Sequence, residues 1–190
     1  MPGPEGDRPA INRDMRTAAI RIRPATEGDC AQVAQLYAVY VRESVCTFEL
    51  EPPTGENWRN KLLGLDQLGL PFLVAVEGEE LLGYAYLTPW RERPGYRFTV
   101  EDSVYVDSRL HGQGLGRRLM AELLVGARAW GARQVVAVVA DSGEPASLHL
   151  HRSLGFREVG RLERVGFKLG RWVDTRLLQL SLEQEDSPSP

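Results

Sequence analysis

Apolar residues recur with two different periods along the chain, and each change of period marks a change between helix and strand. Leucine or alanine falls every four residues from 115 to 127, which predicts a helix that Gly131 ends. Residues 134–140, QVVAVVA, form a continuous apolar run typical of a buried strand. Two more apolar runs, 72–76 and 81–87, are joined by the glycine-containing turn EGEE and predict a β-hairpin.

The first third of the chain begins with a strand and continues with helices. An alternating run at 19–23 predicts the first strand, which Pro24 should end. Thr26, with Asp29 three residues later, predicts the start of a helix through a box-like cap. A shorter helix is expected after Thr54, which follows two prolines.

The remaining elements follow the same two periods. One more helix is expected between Pro145, at its first turn, and Gly155, beyond its last. Strands are expected at 98–106, 156–165 and 172–180. The predicted order, βααβββαβαββ, indicates an α/β protein with a mixed sheet. We expect the tryptophans, among them Trp58, Trp130 and Trp172, to belong to the core.

The two ends of the chain differ from its middle. Residues 1–18 are rich in proline, glycine and charge, and residues 183–190 are polar, so both are expected to be disordered. Residues 19–182 should form a single domain, since the chain has 190 residues.

Charge and cysteine content exclude several classes of function. The formal net charge of −3 argues against general affinity for nucleic acid, and no apolar run is long enough to cross a bilayer. Cys30 and Cys46 lack the spacing of a metal site, and so few cysteines fit a reducing compartment. We expect a cytoplasmic protein with no metal, no membrane and no nucleic-acid partner.

A glycine-rich turn, HGQGLG at 111–116, lies between a predicted strand and a predicted helix. Glycines at 112, 114 and 116 let the backbone approach a ligand, and the helix adds its positive end, so a phosphate or pyrophosphate is the natural ligand. Two alternatives remain at this point. The turn is a plain glycine turn with solvated arginines beside it, or it is a dinucleotide fingerprint, which would need glycine at Arg117.

The turn resembles the acetyl-CoA motif R/Q-x-x-G-x-G/A of the GNAT acetyltransferase superfamily, with His111 where the family has Arg or Gln. Segments 44–54, 84–106, 150–156 and 165–174 are similar to the phosphinothricin N-acetyltransferase branch, which includes enzymes for methionine sulfoximine and methionine sulfone. The resemblance implies the GNAT fold, a central mixed and largely antiparallel sheet flanked by helices. It also implies direct transfer of acetyl from acetyl-CoA to the α-amine of a phosphinothricin-like amino acid, by a homodimer.

The resemblance assigns the cofactor-binding residues. The pyrophosphate would lie on Gly112, Gln113, Gly114, Leu115, Gly116 and Arg117, and the pantetheine arm on Val104, Tyr105 and Val106. Glu144 stands just before the last helix, near the thioester, where the family typically has Asn. Its negative charge would oppose development of a thiolate.

Two residues match positions that handle protons. Glu101 would take the proton from the amine, whereas the ordinary reading of such a residue is a strand glutamate paired with an arginine. His151 stands where many GNAT enzymes have tyrosine, and would protonate the departing thiolate or relay the amine proton. The alternative for His151 is a purely structural histidine.

Arg91 and Arg93 match the basic pair that would hold the substrate carboxylate, although a solvated loop would have the same composition. Phe48 matches an aromatic wall of the substrate pocket, and Tyr96 lies close by in sequence. Two rival functions stay open: a protein-directed acetyltransferase, and a CoA-binding module without catalysis.

Overall fold

The computed structural model describes residues 20–143 and 145–182. These residues form a seven-stranded mixed sheet with helices packed on it. The spatial order of its strands is β1-β2-β3-β4-β5-β7-β6. In chain order the strands are β1 (Arg21–Pro24), β2 (Phe72–Glu77), β3 (Glu80–Pro89), β4 (Thr99–Val106), β5 (Gln134–Ala140), β6 (Arg157–Lys168) and β7 (Arg171–Ser181). The α-helices are α1 (Cys30–Glu43), α2 (Gly55–Gln67), α3 (Leu115–Trp130) and α4 (Ala146–Ser153).

The predicted order of helices and strands is confirmed, and so is the mixed α/β sheet. The predicted leader, 1–18, and the predicted tail, 183–190, lie outside the described residues. Glu144 and Ala19 lie outside them as well. Among the described helices, none is long and apolar enough to cross a membrane.

The centre of the sheet contains its one parallel contact among the described strands, between β4 and β5. Their register covers three residue pairs and stops at Glu101 opposite Val136. Both strands continue beyond that point, β4 to Val106 and β5 to Ala140, so the sheet splits there. We call this opening the split, and Glu101 lies at its fork.

Helices cover both faces of the sheet. On one face α1 packs against β4, with the rings of Tyr37 and Tyr105 5.0 Å apart. On the other face α3 begins close to β4, where a side chain at Gly116 would lie 3.7 Å from Val106. Successive β4 residues therefore alternate between two different helical layers, because side chains alternate along a strand.

Trp58 of α2 lies at the centre of an aromatic cluster between the helices and β2–β4. The indole is 2% exposed, with the rings of Tyr37 and Tyr84 5.3 Å from it in edge-on geometry. Such edge-to-face pairs add to the free energy of burial. The cluster fixes α1 and α2 on the sheet and confirms the core assignment of Trp58.

Helix α3 has the bounds that its sequence predicts. Gly114 precedes it with φ +83° and Gly131 follows it with φ +97°, both in the left-handed region that side chains disfavour. Leu119 and Leu123 are completely buried on its inner face. The glycines therefore set the ends of the helix and the leucines set its orientation.

The prediction for the first strand and helix is wrong in detail. β1 includes Pro24, which pairs with Leu73; β1 is an edge strand, where proline is tolerated. Thr26 starts a single 3₁₀ turn, and α1 begins only at Cys30. The carboxylate of Asp29 accepts hydrogen bonds from the Thr26 backbone N–H and hydroxyl, at 2.7 and 2.8 Å.

The prediction that Trp172 belongs to the core is also wrong. Its side chain is 54% exposed on β7, beside Phe167 of β6, whose ring centroid is 5.2 Å away. Trp130 is partly buried, and its indole N–H donates to the carbonyl of Leu68 at 2.8 Å. Size alone predicts burial poorly here, because β6 is the outer strand of the sheet. The Trp172 ring contacts Phe167 and the Arg164 guanidinium, 5.4 Å from its centroid, both from the same hairpin.

Gly83 of β3 tests how closely the sheet packs on α3. A methyl group at this position would lie 3.0 Å from the carbonyl oxygen of Tyr105 and 3.2 Å from Leu119. We expect Gly83→Ala to lower the free energy of unfolding by about 1–3 kcal/mol, measured by urea denaturation. The matched control is Gly64→Ala on α2, where nothing lies within 4 Å. The control should raise stability by about 0.5–1 kcal/mol, since alanine favours helix. Equal stability of the two variants would contradict the close approach.

Candidate active site

The split exposes backbone groups of β4 on a regular pattern. The N–H of Asp107 donates to the carbonyl of Leu82 at 2.8 Å, and hydrogen-bonded pairs alternate along an antiparallel ladder. The backbone of Tyr105 is therefore directed at β3. The backbone groups of Val104 and Val106 point the other way, into the split. Of the three residues predicted to bind pantetheine, two have backbone groups directed there.

The carbonyl of Val106 is already a hydrogen-bond acceptor. The hydroxyl of Tyr40, on α1, donates to it, and Nε2 of His111 lies 3.2 Å from the same oxygen and 2.9 Å from the Tyr40 hydroxyl. Burial raises the pKa of Tyr40 to about 12, so the phenol keeps its proton. His111 thus ties the start of the glycine turn to α1 and β4.

The glycine turn leads from β4 into α3 and leaves open space above its backbone. Gly112 has φ +71°, and neither it nor Gly114 has any atom within 4 Å of the position that a Cβ would take. The first helical hydrogen bond runs from the Arg118 N–H to the Gly114 carbonyl, so the N–H groups of residues 115–117 have no partner within the helix. This cradle suits a diphosphate.

The side chains around the turn divide into two groups. Leu115 is buried in the core, so it offers a ligand its backbone N–H alone. Arg117 is exposed, and the side chain of Gln113 donates to the carbonyl of Arg109 at 2.9 Å, which stiffens the turn. A Cβ at Gly116 would lie 3.4 Å from the side chain of Leu150 on α4, so the glycine turn also lies close to α4.

Glu101 is half-buried at the fork, on the face of β4 that α1 and α2 cover. Burial, and next the charge of Asp102, raise the pKa of its carboxyl group above the ordinary value. The cations of Arg91 and Lys61 act in the opposite direction. A carboxyl group with a raised pKa beside two cations has the properties of a general base.

The loop after β3 forms an open cleft. This cleft lies near Glu101, because Glu101 of β4 is paired with Thr88, close to the end of β3. Arg91 stacks on Trp90, with its guanidinium carbon 4.7 Å from the ring centroid, and Tyr96 ends a short 3₁₀ turn. The cleft is lined by Pro89, Trp90, Arg91, Glu92, Arg93 and Tyr96. The structure therefore brings three of the four predicted substrate residues to one cleft.

Phe48, the fourth predicted substrate residue, contacts the β6–β7 hairpin. A Cβ at Gly166 would lie 2.3 Å from the Phe48 ring, so only glycine allows this ring to rest on β6. Next to it, the buried ammonium of Lys168 donates to the carbonyl of Thr47 at 2.7 Å. Burial lowers the pKa of Lys168. The loop that carries Phe48 is thus fastened to β6 at two points.

His151 lies on the other side of β4 from Glu101, so the structure does not bring the two predicted catalytic residues together. Its Nε2 is 2.9 Å from Oδ2 of Asp102, and its Nδ1 is 2.7 Å from the carbonyl oxygen of Ser147. Burial lowers the pKa of His151. Three effects outweigh burial and raise the pKa above its ordinary value: the hydrogen bond to Asp102, the negative charge of Asp102, and the hydrogen bond to the Ser147 carbonyl. Both ring nitrogens are engaged and the ring is 3% exposed.

Sequence reasoning missed two charged residues of this region. Asp102 is an acid in the alternating series Val100, Asp102, Val104, and that pattern places it on a buried face. Lys61 of α2 offered no comparable signal. Its ammonium lies 4.6 Å from the ring centroid of Tyr86 and 3.2 Å from the Tyr86 hydroxyl, a contact between distant parts of the chain.

Glu144, predicted to lie near the thioester, cannot be placed in this arrangement because it is outside the described residues. Among residues 20–143 and 145–182, no group of three His, Cys, Asp or Glu side chains is positioned to hold a metal ion.

Comparison with known proteins identifies the family. Residues 33–156 match the acetyltransferase (GNAT) family. The chain is 41% identical to a phosphinothricin N-acetyltransferase of Alcaligenes faecalis over 180 residues, which cover 95% of this chain and 91% of that protein. It is 36% identical to an L-methionine sulfoximine/L-methionine sulfone acetyltransferase of Salmonella typhimurium, covering 88% of this chain and 97% of that protein.

A solved structure gives the same result for the fold. The crystal structure of a GNAT superfamily phosphinothricin acetyltransferase from Sinorhizobium meliloti, in complex with AcCoA, superposes with a TM-score of 0.84 at 35% identity. The match covers 90% of this chain and 93% of that one. The chain therefore belongs to the GNAT acetyltransferase family, in its phosphinothricin and methionine sulfoximine acetyltransferase branch, and is an acetyl-CoA-dependent N-acetyltransferase.

Proposed function

We propose that the protein transfers acetyl from acetyl-CoA directly to the α-amine of a phosphinothricin-like amino acid: phosphinothricin, methionine sulfoximine or methionine sulfone. The observation that carries the proposal is the position of Glu101, at the fork of the split and beside a cleft that contains Arg91 and Arg93. A base thus lies between a diphosphate cradle and a cationic cleft. The relatives that act on such amino acids support this choice of acceptor.

Backbone groups are proposed to hold most of acetyl-CoA. The N–H groups at the start of α3, with Gly112 and Gly114, take the pyrophosphate, and Arg117 adds a cation. Val104 and Val106 take the pantetheine arm as an added strand would be taken. The backbone of Tyr105 is directed at β3, so Tyr105 is not proposed to hydrogen-bond pantetheine; its ring packs against Tyr37 and Tyr40 in the aromatic cluster.

Glu101 is proposed as the base. Acetyl-CoA supplies the electrophilic thioester carbonyl; the reaction forms the amide N–C bond and breaks the C–S bond. An amino acid arrives as an ammonium ion and loses two protons in all: one before its nitrogen can attack, and one from the tetrahedral adduct, to solvent, as the thiolate leaves. The nitrogen cannot attack until the first of these protons leaves. The carboxylate of Glu101 accepts it, and the raised pKa of Glu101 makes the carboxylate a stronger base than an exposed glutamate.

His151 is not proposed as the acid for the thiol, because both of its ring nitrogens already have partners. A thiol of ordinary acidity, with a pKa of about 8.5, can leave as a thiolate near neutral pH and take a proton from water. Positioning of the amine against the thioester then supplies most of the rate enhancement.

The acceptor's carboxylate is proposed to bind to Arg91 and Arg93 in the open cleft. Planar guanidinium groups bind carboxylates with paired hydrogen bonds. Tyr96 lines the same cleft and provides an aromatic wall there. Phe48 is proposed as a further acceptor wall, on the loop that is fastened to β6. The protein-directed alternative would leave this cationic cleft without a role.

A homodimer is the proposed assembly, formed by the outer side of the β6–β7 hairpin. β6 is an edge strand of 12 residues, and an uncovered edge of that length pairs readily with another copy of itself. Apolar side chains on this hairpin are about half exposed: Val159, Leu162, Val165, Phe167, Leu169 and Trp172. Phe167 and Trp172 pair on one face of the hairpin, and exposed large apolar side chains side by side support a protein contact there.

Glu101→Gln tests the proposed base. The amide keeps the shape of the side chain but cannot accept the proton, so we expect kcat to fall by about 100-fold or more. The dissociation constant for acetyl-CoA, measured by calorimetry, should stay unchanged. In the wild-type enzyme the acid limb of kcat/KM should lie above about pH 4.3, the ordinary range of glutamate, because activity is lost as pH falls through the raised pKa. Glu122→Gln, at an exposed position on α3 that lines no part of the cleft, is the control. Unaltered turnover in Glu101→Gln would exclude Glu101 as the base.

Arg93→Ala tests the acceptor class. CoA release would be followed with a thiol reagent against phosphinothricin, methionine sulfoximine, methionine sulfone and a set of peptides. We expect turnover of the amino acids by the wild type, and a rise in their KM of about 10–100-fold in the variant, since a charge-assisted hydrogen bond is lost. Arg97→Ala in the same loop is the control. Turnover restricted to peptides would favour the protein-directed alternative, and acetyl-CoA binding without any turnover would favour the non-catalytic module.

Val165→Glu tests the dimer. A charge in the centre of the apolar hairpin should convert a dimer of about 42 kDa, twice the 21.2 kDa chain, into a monomer in light scattering. Leu63→Glu, at an exposed position on α2, should leave the mass unchanged. A monomeric wild-type protein at micromolar concentration would rule out the proposed assembly.

A further inference from the structure

Asp102 and His151 connect the two halves of the sheet at the fork. Asp102 is the first β4 residue after the last β4–β5 pair, Glu101 opposite Val136. His151 belongs to α4, which connects β5 to β6 and so belongs to the half of the sheet on the β5 side of the split. Their hydrogen bond, 2.9 Å from Nε2 to Oδ2, therefore spans the sheet where its strands part.

The hydrogen-bond partners determine where the protons are. The Ser147 carbonyl can only accept, so Nδ1 of His151 carries a hydrogen. A carboxylate likewise only accepts, so an ionised Asp102 requires a second hydrogen, on Nε2. The pair is then an imidazolium bound to a carboxylate, with both side chains at most 4% exposed. The second carboxylate oxygen, Oδ1, is buried without a hydrogen-bond partner in the structure.

A buried ion pair in this state is far more sensitive to loss of one partner than a surface pair. Removing either charge leaves the other buried and uncompensated. His151 is also held by the edge of Phe156, whose ring centroid lies 5.0 Å away, and by the helical carbonyl of Ser147. These contacts hold the imidazolium to α4, so a change in the width of the fork would lengthen its hydrogen bond to Asp102.

We propose that Asp102 and His151 form a buried clamp that fixes the width of the split at its fork and so positions the thioester against Glu101. Asp102 is a positioning residue in this scheme, and His151 holds it. The clamp rests on the proposed function in so far as Glu101 is the base. It differs from the role that the resemblance implies for His151, protonating the thiolate or relaying the amine proton, because in the clamp the ring stays bound to Asp102 throughout.

The charges around Glu101 make the acid limb of kcat/KM sensitive to the state of the clamp. Asp102 approaches it from within β4, Arg91 from the loop after β3, and Lys61 from α2. The charge of Asp102 opposes ionisation of Glu101, and the two cations favour it. His151 faces Asp102 from α4, and among residues 20–143 and 145–182 Asp102 is the ionisable group that raises the pKa of His151.

Asp102→Asn is the first test. The amide cannot hold an imidazolium, so we expect kcat to fall about tenfold or more and acetyl-CoA to bind about tenfold more weakly. The acid limb of kcat/KM should move to lower pH, because the negative charge that raises the pKa of Glu101 is gone. In nitrogen NMR, His151 of the wild type should stay doubly protonated above pH 6.5, and in the variant it should be neutral.

His151→Gln is the complementary test and carries the proposal if Asp102→Asn does not fold. The glutamine amide can still donate to Asp102 but brings no positive charge, so the acid limb should move to higher pH. Leu124→Ala, a truncation in the core side of α3, controls for loss of stability alone. A melting temperature lowered as in Leu124→Ala, with the acid limb, acetyl-CoA affinity and kcat per folded molecule all unmoved, would overturn the clamp.

The clamp and the proposed function fail in different ways. NMR of His151 and calorimetry with acetyl-CoA require no acceptor and no turnover. If Glu101→Gln keeps full activity, the base is wrong, while a neutral His151 in the wild-type protein would show that the clamp is wrong. Loss of activity in Glu101→Gln with wild-type kinetics in Asp102→Asn would retain the base and exclude the clamp.

Discussion

Everything in the site depends on β4 and β5 pairing over three residues and then separating. A backbone buried in a sheet normally has its N–H and C=O groups satisfied by the neighbouring strand. Where β5 departs, the inward groups of Val104 and Val106 are directed at an opening. The α3 N-terminus and the glycine turn lie at one end of that opening, and Glu101 lies at the other. A long, thin ligand with an anionic end fits this arrangement, which is the shape and charge of acetyl-CoA.

Two faces of one strand divide the work around the split. Odd-numbered residues of β4 face the aromatic cluster and the acceptor cleft, so Glu101 meets Arg91 and Lys61 there. Even-numbered residues face α3 and α4, so Asp102 meets His151. Because adjacent residues serve the two faces, the charge on one face influences the proton affinity on the other across a single peptide unit. The sheet therefore couples the charge of Asp102 to the pKa of Glu101 as well as positioning both side chains.

The sequence allows the local elements to be predicted better than the long-range contacts. Helix α3 is correct to the residue because glycine bounds it on both sides and leucine sets its inner face. The start of α1 is displaced because Thr26 and Asp29 close a 3₁₀ turn first, which the same cap residues permit. The partners of His151 and Lys61 lie 49 and 25 residues away in the chain, and no periodic pattern specifies such contacts. The prediction that Trp172 is buried is wrong for the same reason, since its exposure depends on what packs beside the β6–β7 hairpin.

The attachment of the Phe48 loop to β6 has a consequence for how the two proposed surfaces communicate. The ring of Phe48 rests on Gly166, and Lys168 grips the backbone of Thr47 from the same strand. One face of β6 thus supports the proposed acceptor wall, and its free edge belongs to the proposed dimer surface. If binding of an acceptor favours the assembled form through this strand, thermodynamic reciprocity requires that assembly favour acceptor binding by the same factor. Under the two proposals together, acceptor affinity is expected to rise with protein concentration.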